Sequence, residues 1–151
     1  MKDPVGLARK IVVQYQNEHN RELLNQILQD NNITLDFWPF EEKVLGVLWE
    51  DAPGHITTIA VNLLHDSLQQ TFAIAHLLGH HFLEHGNSIC LTNTLSLDLK
   101  EEQEANLFAA ELLMCNKTQN KKPSSMFSIK DLAELWQIPE SLLLWKAKTL
   151  R

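Results

Sequence analysis

The amino-acid sequence predicts an α+β fold, and three observations carry that prediction. Three short runs rich in β-branched and aromatic residues, ITLDFW (33–38), KVLGVLW (43–49) and HITTIAVNL (55–63), follow one another with turn residues between them. On either side of this block, apolar residues recur at helical spacing over longer stretches. Strands gathered in one part of a chain, with helices in the rest, suit an α+β arrangement better than alternating βαβ units. With 151 residues, 44% of them hydrophobic, the chain can bury one core and is expected to form a single domain over 1–151.

The elements follow in order. Asp3 before Pro4 is a helix start, a cap followed by proline at the first helical position. Ala8, Ile11, Val12 and Tyr15 then share one apolar face, with Tyr15 packing in the core. Asn20 opens a second helix in which Leu23, Leu24, Ile27 and Leu28 repeat at the same period, and Asp30-Asn31-Asn32 ends it. Pro39 and Ala52-Pro53-Gly54 separate the three strands and favour a small, mainly antiparallel sheet. The aromatic residues Phe37, Trp38, Phe40 and Trp49 fit cross-strand core packing better than a substrate groove. A central helix begins at Asp66 or Ser67 and runs to about His85, with Gly86 as its stop. After a polar connection, Asp98 and Glu101 form a capping box for a helix over 99–115. NKTQNKKPSS (116–125) is expected to be a mobile loop. In the C-terminal helical segment, 126–151, Ser128 caps a helix through Trp136 and Pro139 opens the last one. Its apolar residues suit a helical pair packed onto the domain better than a DNA-reading element.

Charge and composition exclude several functions. A net charge of −6 argues against generic affinity for nucleic acid, so direct nucleic-acid binding is not expected. Residues 117–151 carry seven basic and three acidic side chains against six and sixteen before them. A solvated helix face explains that asymmetry at least as well as a contact surface. No apolar run approaches the ~20 residues that cross a bilayer, and MKDPVGLARKIVVQ lacks a secretory pattern. Cys90 and Cys115 make no disulfide framework and no zinc-knuckle spacing. A reduced, cytoplasmic setting without membrane contact is expected.

The chemistry lies in AHLLGHHFLEHG (75–86). Residues four apart on a helix differ by about 40° in direction and about 6 Å in height, so the imidazoles of His76 and His80 can point at one ion. A catalytic zinc takes three protein ligands and leaves one position open, so a third must come from elsewhere, most simply a carboxylate on the next helix. Taken alone, the spacing also allows two histidines that merely pack. The apolar neighbours Ile74, Ala75, Leu77, Leu78, Phe82 and Leu83 imply a buried helix, and a buried histidine needs partners. Gly79 fits a place where another backbone approaches closely.

FAIAHLLGHHFLEHG resembles the F-T-L-A-H-E-L-G-H segment of the ImmA/IrrE family of zinc peptidases, and EEQEANLFAAELLM resembles that family's E-x-E-A-N-x-F-A-x-x-L-L-M-P. Two motifs matching in order are far more specific than either alone. A looser likeness covers the leading helices, a strand ending in Val61-Asn62, and SIKDLAELWQIPESLLLWKAKTL. The resemblance implies a zincin-like fold with a Zn²⁺ site between two helices. It maps the ligands onto His76, His80 and Glu102, with Asn106 on the same helix face as Glu102 to orient a ligand. Glu101 and Glu104 are rivals for the third position. Helical geometry turns them about 100° and 200° away from Glu102, as a solvated acidic helix start would be.

Two departures stand out. The glutamate that follows the first histidine in such peptidases, and that carries a proton from the attacking water to the leaving amine, is replaced by Leu77. Leucine carries no proton, and general acid–base catalysis contributes ~10²–10⁴-fold. Cys115 stands where the family has proline, and it suits a structural cysteine better than a ligand. No substitute base is apparent. Glu84 lies about 12 Å along the axis from His76, His81 points about 140° away, His85 falls near the helix end, and His55, His65 and Tyr15 suggest nothing. The expected function is therefore a zinc-binding, peptidase-like pseudoenzyme that acts on or binds a helix-turn-helix repressor of a mobile element, the partner class the resemblance implies. The alternatives are an active zinc endopeptidase with an unconventional base, and a metal-free interaction module.

Overall fold

The computed structural model describes residues 2–15, 19–51, 56–120 and 128–149, with backbone alone at 116–120. Helix α1 (Pro4–Val12) starts where predicted, because the Asp3 carboxylate accepts the backbone N–H groups of Val5 and Gly6. Helix α2 (Asn20–Asp30) buries Leu23, Leu24, Ile27 and Leu28. Strands β1 (Ile33–Trp38), β2 (Val44–Asp51) and β3 (Ile56–Asn62) follow within two residues of their expected limits.

The sheet is mixed rather than purely antiparallel. Its order is β1-β3-β2-β4, with β3 inserted between the two strands that precede it. β2 runs antiparallel to β3 and to β4, whereas β1 and β3 are parallel, Ile33 lying opposite Thr57. The fourth strand, β4 (Ser88–Leu91), falls in the stretch expected to be a polar connection. With four residues it shows no alternation that a sequence pattern could detect.

Helices cover one face of the sheet, where Leu48, Ile59, Val61 and Cys90 are buried. On the other face Trp49 stands exposed beside Val47, Ile56, Thr58 and Ala60. Phe37 and Trp38 are exposed at the end of an edge strand. The expected core packing of this aromatic group is thus overturned, with Phe40 alone half-buried. Aromatic composition cannot say which face of a sheet a domain leaves uncovered.

Helix α3 (Ser67–Phe82) is capped by Asp66, whose carboxylate accepts Gln69 N–H at 2.9 Å, and every residue from Thr71 to His80 is buried. It ends three residues earlier than expected, because Glu84 already takes a left-handed conformation, at φ 62°, two residues before Gly86, which is itself at φ 81°. A 3-10 turn (Thr94–Ser96) leads to α4 (Lys100–Asn120). Asp98 accepts the Gln103 side chain at 2.9 Å. α4 runs five residues into the segment 116–125 that was expected to be a loop, and the rest of that segment lies outside the described residues. Helix α5 (Ile129–Trp136) opens with a capping box of Ser128 and Asp131, and α6 (Glu140–Thr149) follows Pro139. This pair packs inward through Trp136, Ile138, Leu142 and Leu143. Among the described residues no helix is long and apolar enough to cross a membrane.

Candidate metal centre

Helices α3 and α4 touch at Gly79. A Cβ there would stand 3.2 Å from both Ala105 Cα and Ala105 O and 3.1 Å from Phe108 Cδ1, so tight that the neighbouring helix would have to give by a few tenths of an ångström. Two small residues therefore set the approach of the helices, as the glycine suggested. His76 and His80, on either side of that contact, then face Glu102 and Asn106.

The convergence is tight. His76 Nε2 and His80 Nε2 lie 3.0 Å apart, and Glu102 Oε2 lies 3.0 Å from the first and 2.9 Å from the second. Both imidazoles are buried, and Glu102 keeps 14% of its side chain exposed. Behind His76, Asn106 lies fully buried, its Nδ2 donating to Thr94 O at 3.2 Å. That bond fixes the amide, so its Oδ1 must accept from His76 Nδ1 at 2.8 Å. His76 then carries its hydrogen on Nδ1 and presents a bare lone pair at Nε2. Burial holds the His76 imidazole below its ordinary range, opposed by the nearby Glu102 carboxylate and reinforced by the neighbouring His80. Burial alone would raise the Glu102 carboxyl, but the two imidazoles, either of which can share a hydrogen with it, outweigh burial and bring it down to about 2.

These atoms fit a divalent cation. Two imidazole nitrogens and an ionised carboxylate oxygen, all acceptors, meet within 3.0 Å of one another. A shared proton satisfies only one pair of them at a time, whereas a cation satisfies all three. Tetrahedral zinc with bonds of ~2.0–2.1 Å sets its ligand atoms about 3.3 Å apart, so the cluster needs to open by only a few tenths of an ångström. The donor set, two nitrogens and an oxygen, is one that catalytic zinc accepts. One side of the cluster opens to a cleft lined by His80, Ser88, Ile89, Leu99, Glu101 and Glu102.

Leu77 lies on another side of α3. It is wholly buried, and its Cδ1 sits 3.2 Å from where a Cβ on Gly46 of β2 would be. The absence of a side chain at residue 46 makes room for it. The remaining candidates lie elsewhere. His81 pairs with Glu50 at 2.6 Å, His65 meets Glu42 O at 2.7 Å, and the Tyr15 hydroxyl donates to Asp30 at 2.8 Å. Glu84 is exposed beside Lys2, and His55 lies outside the described residues. Cys115 is half-buried near Arg9 and Glu111. Glu101 is exposed as expected, but Glu104 is not merely solvated, since it meets His85 at 3.1 Å. Sequence reasoning also passed over Cys90, whose thiol is pushed up by burial and then by the charge of Glu102. No signal in the sequence marks it, because a four-residue strand is too short to show alternation.

Paired histidines on one helix, a glutamate on the next and a small mixed sheet beside them define a zincin-like metallopeptidase fold. The chain belongs to the ImmA/IrrE family, its residues 30–148 matching the IrrE N-terminal-like domain of these peptidases. It is also similar to the Uncharacterized immunity region protein 2 of Bacillus phage phi105. The two are 26% identical over 137 residues, covering 89% of this chain and 83% of that one.

Proposed function

We propose that this chain is a zinc-binding regulator that has kept the family's metal centre and lost its peptidase chemistry. It would act in the cytoplasm by binding a helix-turn-helix repressor-type partner rather than cutting it. The observation that carries this reading is the contrast at α3. Three acceptors meet at one point, while the neighbouring proton-carrier position holds a leucine buried against β2. Zinc, when bound, would supply a Lewis acid and orient a peptide carbonyl. His76, His80 and Glu102 would hold it, and Asn106 would keep His76 in the productive tautomer. The other carboxylate lining the cleft, Glu101, is largely exposed and lies on a different face of α4 from Glu102. The name of the phage relative supports a role in an immunity region, the setting in which a repressor-type partner is expected.

The test has two arms. Zinc-loaded protein mixed with a helix-turn-helix repressor of the proposed partner class should co-elute with it and leave it intact by mass spectrometry. Leu77→Glu should then raise cleavage by ~10²–10⁴-fold if the peptide-binding cleft is retained and the new carboxylate turns from the core towards the centre. Efficient cleavage by the native protein, stopped by a chelator, would instead establish an active endopeptidase with another base. Glu101, lining the same cleft, would be the first residue to replace.

A further inference from the structure

The hydrogen-bond network does not stop at His80. Helix α3 closes with two backbone bonds, Glu84 N–H to His81 O at 3.1 Å and His85 N–H to His80 O at 2.9 Å. Glycine usually takes the left-handed position in such a turn. Here Glu84 takes it at φ 62°, a conformation that a side chain disfavours. The turn folds His85 back across His80, with the rings 5.0 Å apart and nearly perpendicular. His80 Nδ1 lies 2.9 Å from His85 Nδ1, and His85 Nε2 lies 3.1 Å from Glu104 Oε1. Both outer side chains are largely buried, His85 being 9% and Glu104 19% exposed.

With a cation held between His80 Nε2, His76 and Glu102, the hydrogens in this network can be placed by elimination. The Glu104 carboxylate only accepts, so His85 Nε2 must donate to it. A His85 with one ring hydrogen then has a bare Nδ1, and the hydrogen between the two rings belongs to His80 Nδ1. The Nε2 of His80 is thereby turned, as an acceptor, towards Glu102 and His76. Resting on the zinc-binding reading above, we propose that His85 and Glu104 are positioning residues for the metal centre. They hold the His80 imidazole in orientation and tautomer, as Asn106 holds His76. The two ligand histidines are thus braced from opposite sides, one by an amide tied to Thr94 and the other by a His–Glu pair hung on the turn that ends α3. A rival use of the same atoms, a second ion held by His80, His85 and Glu101, would require His80 to give up both ring hydrogens.

Zinc affinity measured by competition with a chromophoric chelator tests this on native, His85→Ala, Glu104→Ala and Glu104→Gln proteins, with circular dichroism to check folding. His85→Ala should weaken binding about 10–100-fold, the range for lost outer-shell partners, and Glu104→Ala somewhat less. Glu104→Gln should stay near native, because its amide oxygen accepts the same hydrogen. In the zinc-loaded native protein, ¹⁵N-resolved imidazole spectra should show a hydrogen on His80 Nδ1. This second measurement holds even if His85→Ala does not fold. Native affinity in His85→Ala, or a His80 Nδ1 without hydrogen, would overturn the positioning role while leaving the zinc site standing. Failure of the native protein to bind zinc would instead overturn the zinc reading, and the positioning role with it. A second equivalent of zinc, lost in Glu101→Gln, would assign these atoms to a second ion and also overturn the proposal.

Discussion

On the side of α3 that faces α4, His76 and His80 are buried and meet Glu102 and Asn106 at distances from 2.8 to 3.0 Å. On the side that faces the sheet, Leu77 is equally buried, but it lies in the hydrophobic core over Gly46. The helix thus separates two jobs that this kind of centre normally combines. Holding a cation depends on one face and its bracing amide, and moving a proton depends on one carboxylate on another. Because the two faces have different partners, the second job can be lost without disturbing the geometry of the first.

The largest effect expected is on the polar face. His80→Ala removes one of three ligands and should take bound zinc from close to one equivalent to none by elemental analysis. A protein that kept its zinc would show that the three acceptors are not the site. On the other face, Leu77→Glu places a carboxylate among core side chains, which costs about 3–5 kcal/mol when it is left uncompensated. Urea unfolding of the metal-free variant should report a loss of that order, partly recovered with zinc. No loss at all would mean that water already reaches residue 77.

How much of this was legible in the sequence follows from the same comparison. His76, His80, Glu102 and Asn106 could be placed because helical spacing, once the motifs are aligned, leaves few ways for a face to point. Gly79 could be read as a contact because glycine has few other uses inside a buried helix. His85 reads only as a distant substitute base and Glu104 only as a rival ligand, because the helical pattern runs to about His85, and a helix that continues would never bring His85 back to His80. The left-handed Glu84 breaks a propensity rule that favours glycine, and local sequence does not announce such an exception. Trp49 was misplaced for a different reason. Which face of a sheet receives the helices is settled by the whole chain.

Smaller effects sharpen the contrast. Gly79→Val should push α3 away from Ala105 and Phe108, costing about 1–3 kcal/mol and weakening zinc binding together with stability. A stable variant with native zinc affinity would mean the helix contact does not set the site. Asn106→Ala should weaken zinc binding about 10–100-fold by freeing His76, read by chelator competition. At the far end, Trp49→Ala on the uncovered face should shift stability by no more than about 0.5 kcal/mol. A larger loss in thermal unfolding would mean that this face is covered in solution.

The central claim, that α3 retains a cation site after losing its proton carrier, is tested most directly by titrating metal-free native protein with zinc in a calorimeter. The account predicts a single transition at one equivalent, abolished by His80→Ala and by Glu102→Ala but retained in a Leu77→Ala control. An absence of binding, or binding unaffected by both ligand replacements, would contradict it.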